Sequence, residues 1–88
     1  MTLIGVSFSI HIDDTHEQRK DDLLQRLRTL GKTWNETNDL VLIKTRQSIA
    51  EVRFQVLLAL NVATDKSLIF RTDEQILQTT GQIMKPLL

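Results

Sequence analysis

Residues 4–12 alternate between large apolar side chains and small or polar ones. One set comprises Ile4, Val6, Phe8, Ile10 and Ile12, and the other comprises Gly5, Ser7, Ser9 and His11. Because successive side chains of a β-strand point to opposite faces, this pattern predicts a first strand with one buried and one polar face. The small residues on the polar face would let another group approach the backbone closely.

Capping signals predict two helices. Thr15 and Gln18 have the spacing of a capping box, and an apolar stripe then continues up to Gly31, a residue type favoured just past a helix end. Ser48 and Glu51 form a second capping box, which opens a helix that we expect to last to about residue 60.

Three further runs predict strands. Residues 32–35 form a short one, residues 67–71 form the last one, and residues 40–45 are apolar on both faces, which is typical of a central strand. Residues 72–78 favour a short helix, and Pro86 excludes a regular central strand at the end of the sequence.

The resulting order, β-α-β-β-α-β, predicts an α+β, ferredoxin-like fold. We expect a four-stranded antiparallel sheet with two helices on one face, an open second face and a C-terminal tail. Residues 1–88 form a single domain, and the tail from about residue 73 is a candidate to dock on a partner subunit. A chain of 88 residues buries a modest core, which favours association into a homodimer.

Charge and composition exclude several function classes. Eleven basic residues balance eleven acidic ones, which argues against strong non-specific nucleic-acid binding. The absence of cysteine excludes disulfides and thiolate metal sites. The apolar run 56–60 is too short to span a bilayer and no leader is recognisable, so we expect a cytoplasmic protein without a membrane partner.

A mild basic surplus lies between residues 23 and 53, a range that contains six basic residues and three acidic ones. It supplies a weak candidate nucleic-acid patch made of Arg26, Arg28, Lys32 and Arg46. The alternative is that these side chains only solvate the surface.

Histidine and aspartate cluster between the first strand and the first helix, at His11, Asp13, Asp14 and His16. Both residue types bind divalent cations, but the spacing matches no recognised metal motif. The alternative interpretation is structural, because acidic residues are stabilised near a helix N-terminus. We therefore expect no metal or cofactor and no catalytic residue.

The second helix is apolar over most of its circumference, and only a narrow strip around Glu51 and Gln55 is polar. It either packs between the sheet and the C-terminal segment or forms a subunit interface. The candidate interface residues are Phe54 and Leu58 on this helix, and Ser7 and Ser9 on the open face of the first strand.

Several short blocks resemble a known group of proteins. Residues 42–45 are Leu-Ile-Lys-Thr, residues 48–52 are Ser-Ile-Ala-Glu-Val, and residues 64–70 form an aspartate-containing turn and a strand. Over about residues 3–72 the chain resembles the small SinR-like proteins, relatives of the Cas-two subunit of the CRISPR adaptation machinery and of the VapD-type ribonucleases.

The resemblance implies a ferredoxin-fold homodimer that packs open sheet faces together, often with a C-terminal segment added to the partner's sheet. Catalytic members of the group place a metal-binding aspartate on the first strand. The matching position here is Ser9, whose neutral hydroxyl is a poor ligand for a hard cation.

The favoured hypothesis is therefore a non-catalytic dimeric interaction module of the SinR-like or Cas-two-like type that binds a protein or a nucleic acid. The alternative is a metal-dependent endoribonuclease or deoxyribonuclease of the VapD or Cas-two type, which would use magnesium or manganese with His11, Asp13 and Asp14. A third hypothesis is a small-molecule sensor that uses the open sheet face.

Overall fold

A computed structural model describes residues 1–78 and 80 of the chain. It confirms the ferredoxin-like βαββαβ order with two helices. The strands form one antiparallel sheet in the order β2-β3-β1-β4. The elements are β1 (Thr2–Ser9), α1 (His16–Leu30), β2 (Gly31–Thr37), β3 (Leu40–Thr45), α2 (Ile49–Ala59), β4 (Lys66–Thr72) and a 3-10 turn (Glu74–Ile76).

The main core lies between the sheet and the two helices. The alternating apolar set of β1 supplies Ile4, Val6 and Phe8, which pack with buried residues of the neighbouring elements: Leu23, Leu27, Val41, Ile43, Val52, Val56 and Ala59. The prediction that β3 is central is confirmed, because it pairs with both β1 and β2. Ile12 lies beyond the strand and is exposed, so its predicted place in the buried set is wrong.

The helix termini follow the predicted signals only in part. The Ser48 hydroxyl accepts the Glu51 N–H at 3.1 Å, which confirms the second capping box. The first capping box is wrong, because Thr15 makes no side-chain cap and instead donates its own N–H to Asp13 at 3.0 Å. Gly31 ends α1 in an extended conformation, and a β-carbon there would lie 2.1 Å from the Lys44 carbonyl oxygen. Glycine is thus needed at this position, because the first residue of β2 lies against the backbone of β3 and leaves no room for a side chain.

A second, smaller apolar cluster lies on the face of the sheet away from the helices. It contains the buried residues Leu3, Trp34 and Leu42, with Leu77 packed against them from the segment after β4. A salt bridge of 3.0 Å between Lys44 and Glu74 holds the same segment to β3. Leu77 and Glu74 of the chain's own residues 73–78 therefore contact the β2–β3 half of the open face. Pro86 and the rest of the predicted C-terminal tail from residue 81 onward lie outside the described residues.

Candidate functional site

The predicted His/Asp cluster is organised around a residue that the sequence analysis did not select, Arg19. Its guanidinium donates to the Asp65 carboxylate at 2.9 Å and to the Asp13 carboxylate at 2.9 and 3.2 Å. It also donates to the carbonyl of His11 at 2.9 Å and to the hydroxyl of Thr15. Arg19 thereby joins the loop after β1 to the loop before β4.

Asp65 is the buried centre of this network, with a fully covered side chain. Its two oxygens accept the N–H groups of His11 and Asn61, each at 2.8 Å, in addition to the guanidinium of Arg19. A carboxylate that is buried but fully hydrogen-bonded stabilises the arrangement of the loops that supply its donors. We name Asp13, Arg19 and Asp65 the arginine cluster.

The pKa values of the arginine cluster record these contacts. Hydrogen bonds from Arg19 and from the Thr15 N–H lower the pKa of Asp13 from 3.8 to about 2. Burial alone would raise the pKa of Asp65, but the donors Asn61, His11 and Arg19 outweigh it and the net direction is downward. Asp13 and Asp65 together raise the pKa of Arg19. All three groups therefore stay charged at neutral pH.

The remaining candidates for catalysis do not converge. The His11 side chain and Asp14 are exposed. One ring nitrogen of His16 lies 2.6 Å from the Asp13 carbonyl oxygen and the other lies 3.1 Å from Glu17. The described residues contain no group of three or more His, Cys, Asp or Glu side chains that could hold a metal ion. Because Arg19 engages both oxygens of Asp13, this set does not fit magnesium or manganese.

On the open face of β1, the small residues accommodate large neighbours. A β-carbon on Gly5 would lie 2.3 Å from the ring of Phe70, its cross-strand partner on β4. The open face is thus mixed rather than polar throughout, because β4 adds Phe70 and Leu68 to the small and polar residues of β1. Ser7 faces Leu68, whose side chain is 64% exposed, and Ser9 faces Lys66.

The indole of Trp34 belongs to the same face. The residue is 4% exposed, yet its N–H has no hydrogen-bond acceptor among the described residues. An unsatisfied buried donor is uncommon in folded proteins. The indole ring itself is accounted for by packing against Leu3, Leu42 and Leu77.

The other two candidate interface residues lie on α2. Val52, Val56 and Ala59 pack into the core, whereas Phe54, Leu57 and Leu58 are 53%, 39% and 51% exposed. The described part of the C-terminal segment contacts the opposite face of the sheet, so it does not cover these three side chains. They form an exposed apolar surface on the helical side of the domain.

The predicted basic patch is divided by the structure. Arg26 forms a salt bridge with Asp22 at 3.0 Å and donates to Gln55 at 3.2 Å, so it ties α1 to α2. Arg28 is exposed in the last turn of α1. Lys32 and Arg46, by contrast, line one cavity of about 490 Å³ together with Lys44. We name Lys32, Lys44 and Arg46 the lysine cluster.

The arginine and lysine clusters lie at opposite ends of β1. Lys44 is paired with Leu3 at the start of the strand, whereas Ser9 and Lys66, next to Asp65, are paired at its end. Lys44 belongs to the basic surplus of residues 23–53 but lies outside the predicted patch. The strand register, which sets Lys32 directly opposite Lys44, is the observation that brings it there.

Comparison with solved structures finds the same fold. The crystal structure of Streptococcus pyogenes Cas2 is similar with a TM-score of 0.72 and 11% identity, covering 90% of this chain and 99% of that one. The hypothetical protein TT1823 from Thermus thermophilus is similar with a TM-score of 0.63 and 19% identity, covering 98% and 95%. No family model and no curated protein matches the chain.

These likenesses show a Cas2-like, ferredoxin-like fold. At such identities they extend to the fold and no further, so the SinR-like relationship stays a prediction. No helix of the described residues has the length and apolar character that crossing a membrane requires.

Proposed function

We propose that the chain is a non-catalytic interaction module that forms a homodimer and binds a nucleic acid or a protein. The observation that supports this best is the composition of the open face over β1 and β4. Its eight positions carry no carboxylate: Leu3, Gly5, Ser7, Ser9, Lys66, Leu68, Phe70 and Thr72. A surface that exposes Leu68, carries Lys66 and has no carboxylate favours contact with another macromolecule over binding of a divalent cation.

The surroundings of Ser9 argue against the nuclease alternative. Its cross-strand partner is Lys66, so a basic residue lies directly opposite the position at which a metal-binding carboxylate would be needed. The two carboxylates of the arginine cluster, those of Asp13 and Asp65, are both paired with Arg19. Metal-assisted cleavage of a phosphodiester needs a cation held beside the scissile phosphate. Lys66 would repel such a cation, and a carboxylate already paired with Arg19 is not available to bind it.

The exposed half of the open face is the proposed dimer interface. Leu68 is 64% exposed at this surface, beside the small residues of β1. The other half is already contacted by Leu77 and Glu74 of the same chain. A two-fold axis through the exposed half would bury Leu68 against its own copy, as expected for an isologous interface.

Light scattering on two interface variants and one matched control variant tests this interface. We expect the wild type to be a dimer at about 100 µM, and Leu68→Glu and Ser7→Asp to be monomers, because each introduces a charge that the interface would bury. Leu58→Glu places the same charge on the α2 surface and should remain a dimer. A monomeric wild type would refute the proposal. Dissociation by Leu58→Glu alone would move the interface to α2.

A further inference from the structure

From the lysine cluster we infer a binding site for a phosphate monoester, such as the terminal phosphate of a nucleotide or an oligonucleotide. Lys32 and Lys44 are direct cross-strand partners in the β2–β3 pairing, and alternation places both on the open face. Like charges directly opposite each other destabilise a sheet. A bound anion between the two ammonium groups would remove that repulsion.

The charge of the site matches such a ligand. Among the described residues, the carboxylate of Glu74 is the one paired with the lysine cluster, and it lies 3.0 Å from the Lys44 ammonium. Neither Lys32 nor Arg46 forms an ion pair with a described residue. Three cations and one carboxylate leave two positive charges, and a phosphate monoester carries about −1.5 to −2 at neutral pH.

The cavity has the size and the wall that a nucleotide end requires. Its volume of about 490 Å³ falls within the range of small-ligand sites. Leu30 and Gly31 line it beside the cations and provide an apolar surface for a sugar or a base. Arg46 contributes a guanidinium, which can bind two phosphate oxygens at once.

Glu74 gives the site an internal competitor. Glu74 lies in the 3-10 turn after β4, and its carboxylate forms a salt bridge with the Lys44 ammonium. A phosphate would have to displace this carboxylate or bind the lysine together with it. Removing the Glu74 charge should therefore strengthen phosphate binding. A basic surface without a defined site would show no such dependence on one carboxylate beyond the change in net charge.

Fluorescence anisotropy with 3′-labelled single-stranded oligonucleotides tests the site. We expect a 5′-phosphorylated strand to bind about tenfold more tightly than the same strand with a 5′-hydroxyl, because an additional charge-assisted hydrogen bond strengthens binding by roughly that factor. Lys32→Gln and Arg46→Gln should each abolish most of this difference. Glu74→Gln should increase it, whereas the control Glu17→Gln, which removes an equal charge on α1, should not.

Two further controls decide the outcome. Arg28→Gln removes an exposed cation outside the cavity and should leave the preference for the 5′-phosphate unchanged. Inorganic phosphate and a mononucleotide are titrated as competitors: competition by the mononucleotide supports a phosphate-monoester site, whereas binding of inorganic phosphate alone would show that the ligand is free phosphate and would contradict the inference. Equal affinity for both strands together with no competition by phosphate would overturn the inference. The inference names a ligand for the proposed module, and the dimer test by light scattering does not depend on it.

Discussion

The two charged clusters at the ends of β1 differ in how their charges are compensated. In the arginine cluster, one guanidinium is shared by two carboxylates, and backbone N–H groups occupy the remaining oxygens of the buried one. In the lysine cluster, two lysines face each other, and among the described residues a single carboxylate, that of Glu74, is paired with Lys44 alone. The first arrangement is complete without a ligand. The second gains stability when an anion binds. We therefore assign a structural role to the arginine cluster and a binding role to the lysine cluster.

The largest expected effect is on folding stability at the arginine cluster. Asp65→Asn replaces an acceptor oxygen by an amide that faces N–H donors, and should lower the free energy of unfolding by about 2 kcal/mol, the cost of an unsatisfied buried group. Urea unfolding followed by Trp34 fluorescence measures it. Asp14→Asn is the matched control: this exposed carboxylate lies beside Asp13 in the same loop but forms no hydrogen bond or ion pair with the arginine cluster, so its removal should leave the urea midpoint unchanged. Equal midpoints for Asp65→Asn and the wild type would contradict a structural role.

A smaller effect is expected when the pH falls. The pKa of Asp13 is about 2 in the folded protein and near 3.8 when unfolded, and the pKa of Asp65 is also lowered by folding. The unfolded chain therefore binds protons first, so the stabilisation is complete above about pH 4 and is lost as the pH falls towards 2. Urea midpoints measured from pH 5 to pH 2 should decline.

The variant Asp13→Asn isolates the contribution of that residue to the acid response. Its midpoints should decline less steeply between pH 4 and pH 2 than those of the wild type, because one of the titrating carboxylates is gone. Parallel declines in the two proteins would show that Asp13 does not gain its charge stabilisation on folding.

The smallest effect is expected at the lysine cluster and has the opposite sign. Lys32→Gln removes one of two opposed like charges, and should stabilise the free protein by about 0.3 kcal/mol at low salt. The gain should shrink as salt screens the repulsion. Arg28→Gln, on the α1 surface, provides the comparison under the same conditions. Destabilisation by Lys32→Gln at low salt would show that the lysines do not repel each other.

Local patterns were sufficient to predict most of the fold. Apolar residues on both faces of β3 placed it in the centre of the sheet, and the Ser48 capping box marked the start of α2. The composition of the open face was harder to predict from β1 alone. Its character depends on Phe70 and Leu77, which reach it from strands and segments whose positions follow only from the assembled sheet.

The organisation of the charged sites lay beyond local sequence reasoning. Asp65 contacts Arg19 and His11, which are 46 and 54 residues away along the chain, and no pattern within a short window connects them. Lys32 and Lys44 likewise meet only through the β2–β3 register. The acidic residues near α1 could therefore be selected from the sequence, but Arg19, which neutralises them, could not. Of the three cations of the lysine cluster, Lys32 and Arg46 were predicted and Lys44 was not.

A cleavage assay tests most directly whether the arginine cluster is structural and the protein non-catalytic. Purified protein is incubated with single- and double-stranded RNA and DNA in the presence of magnesium or manganese. We predict that every substrate stays intact, because Ser9 and Lys66 offer no anionic ligand and Arg19 engages Asp13. Cleavage that disappears in Asp13→Asn, Asp14→Asn or His11→Ala, while the variant keeps its fold by circular dichroism, would contradict the account and establish a nuclease.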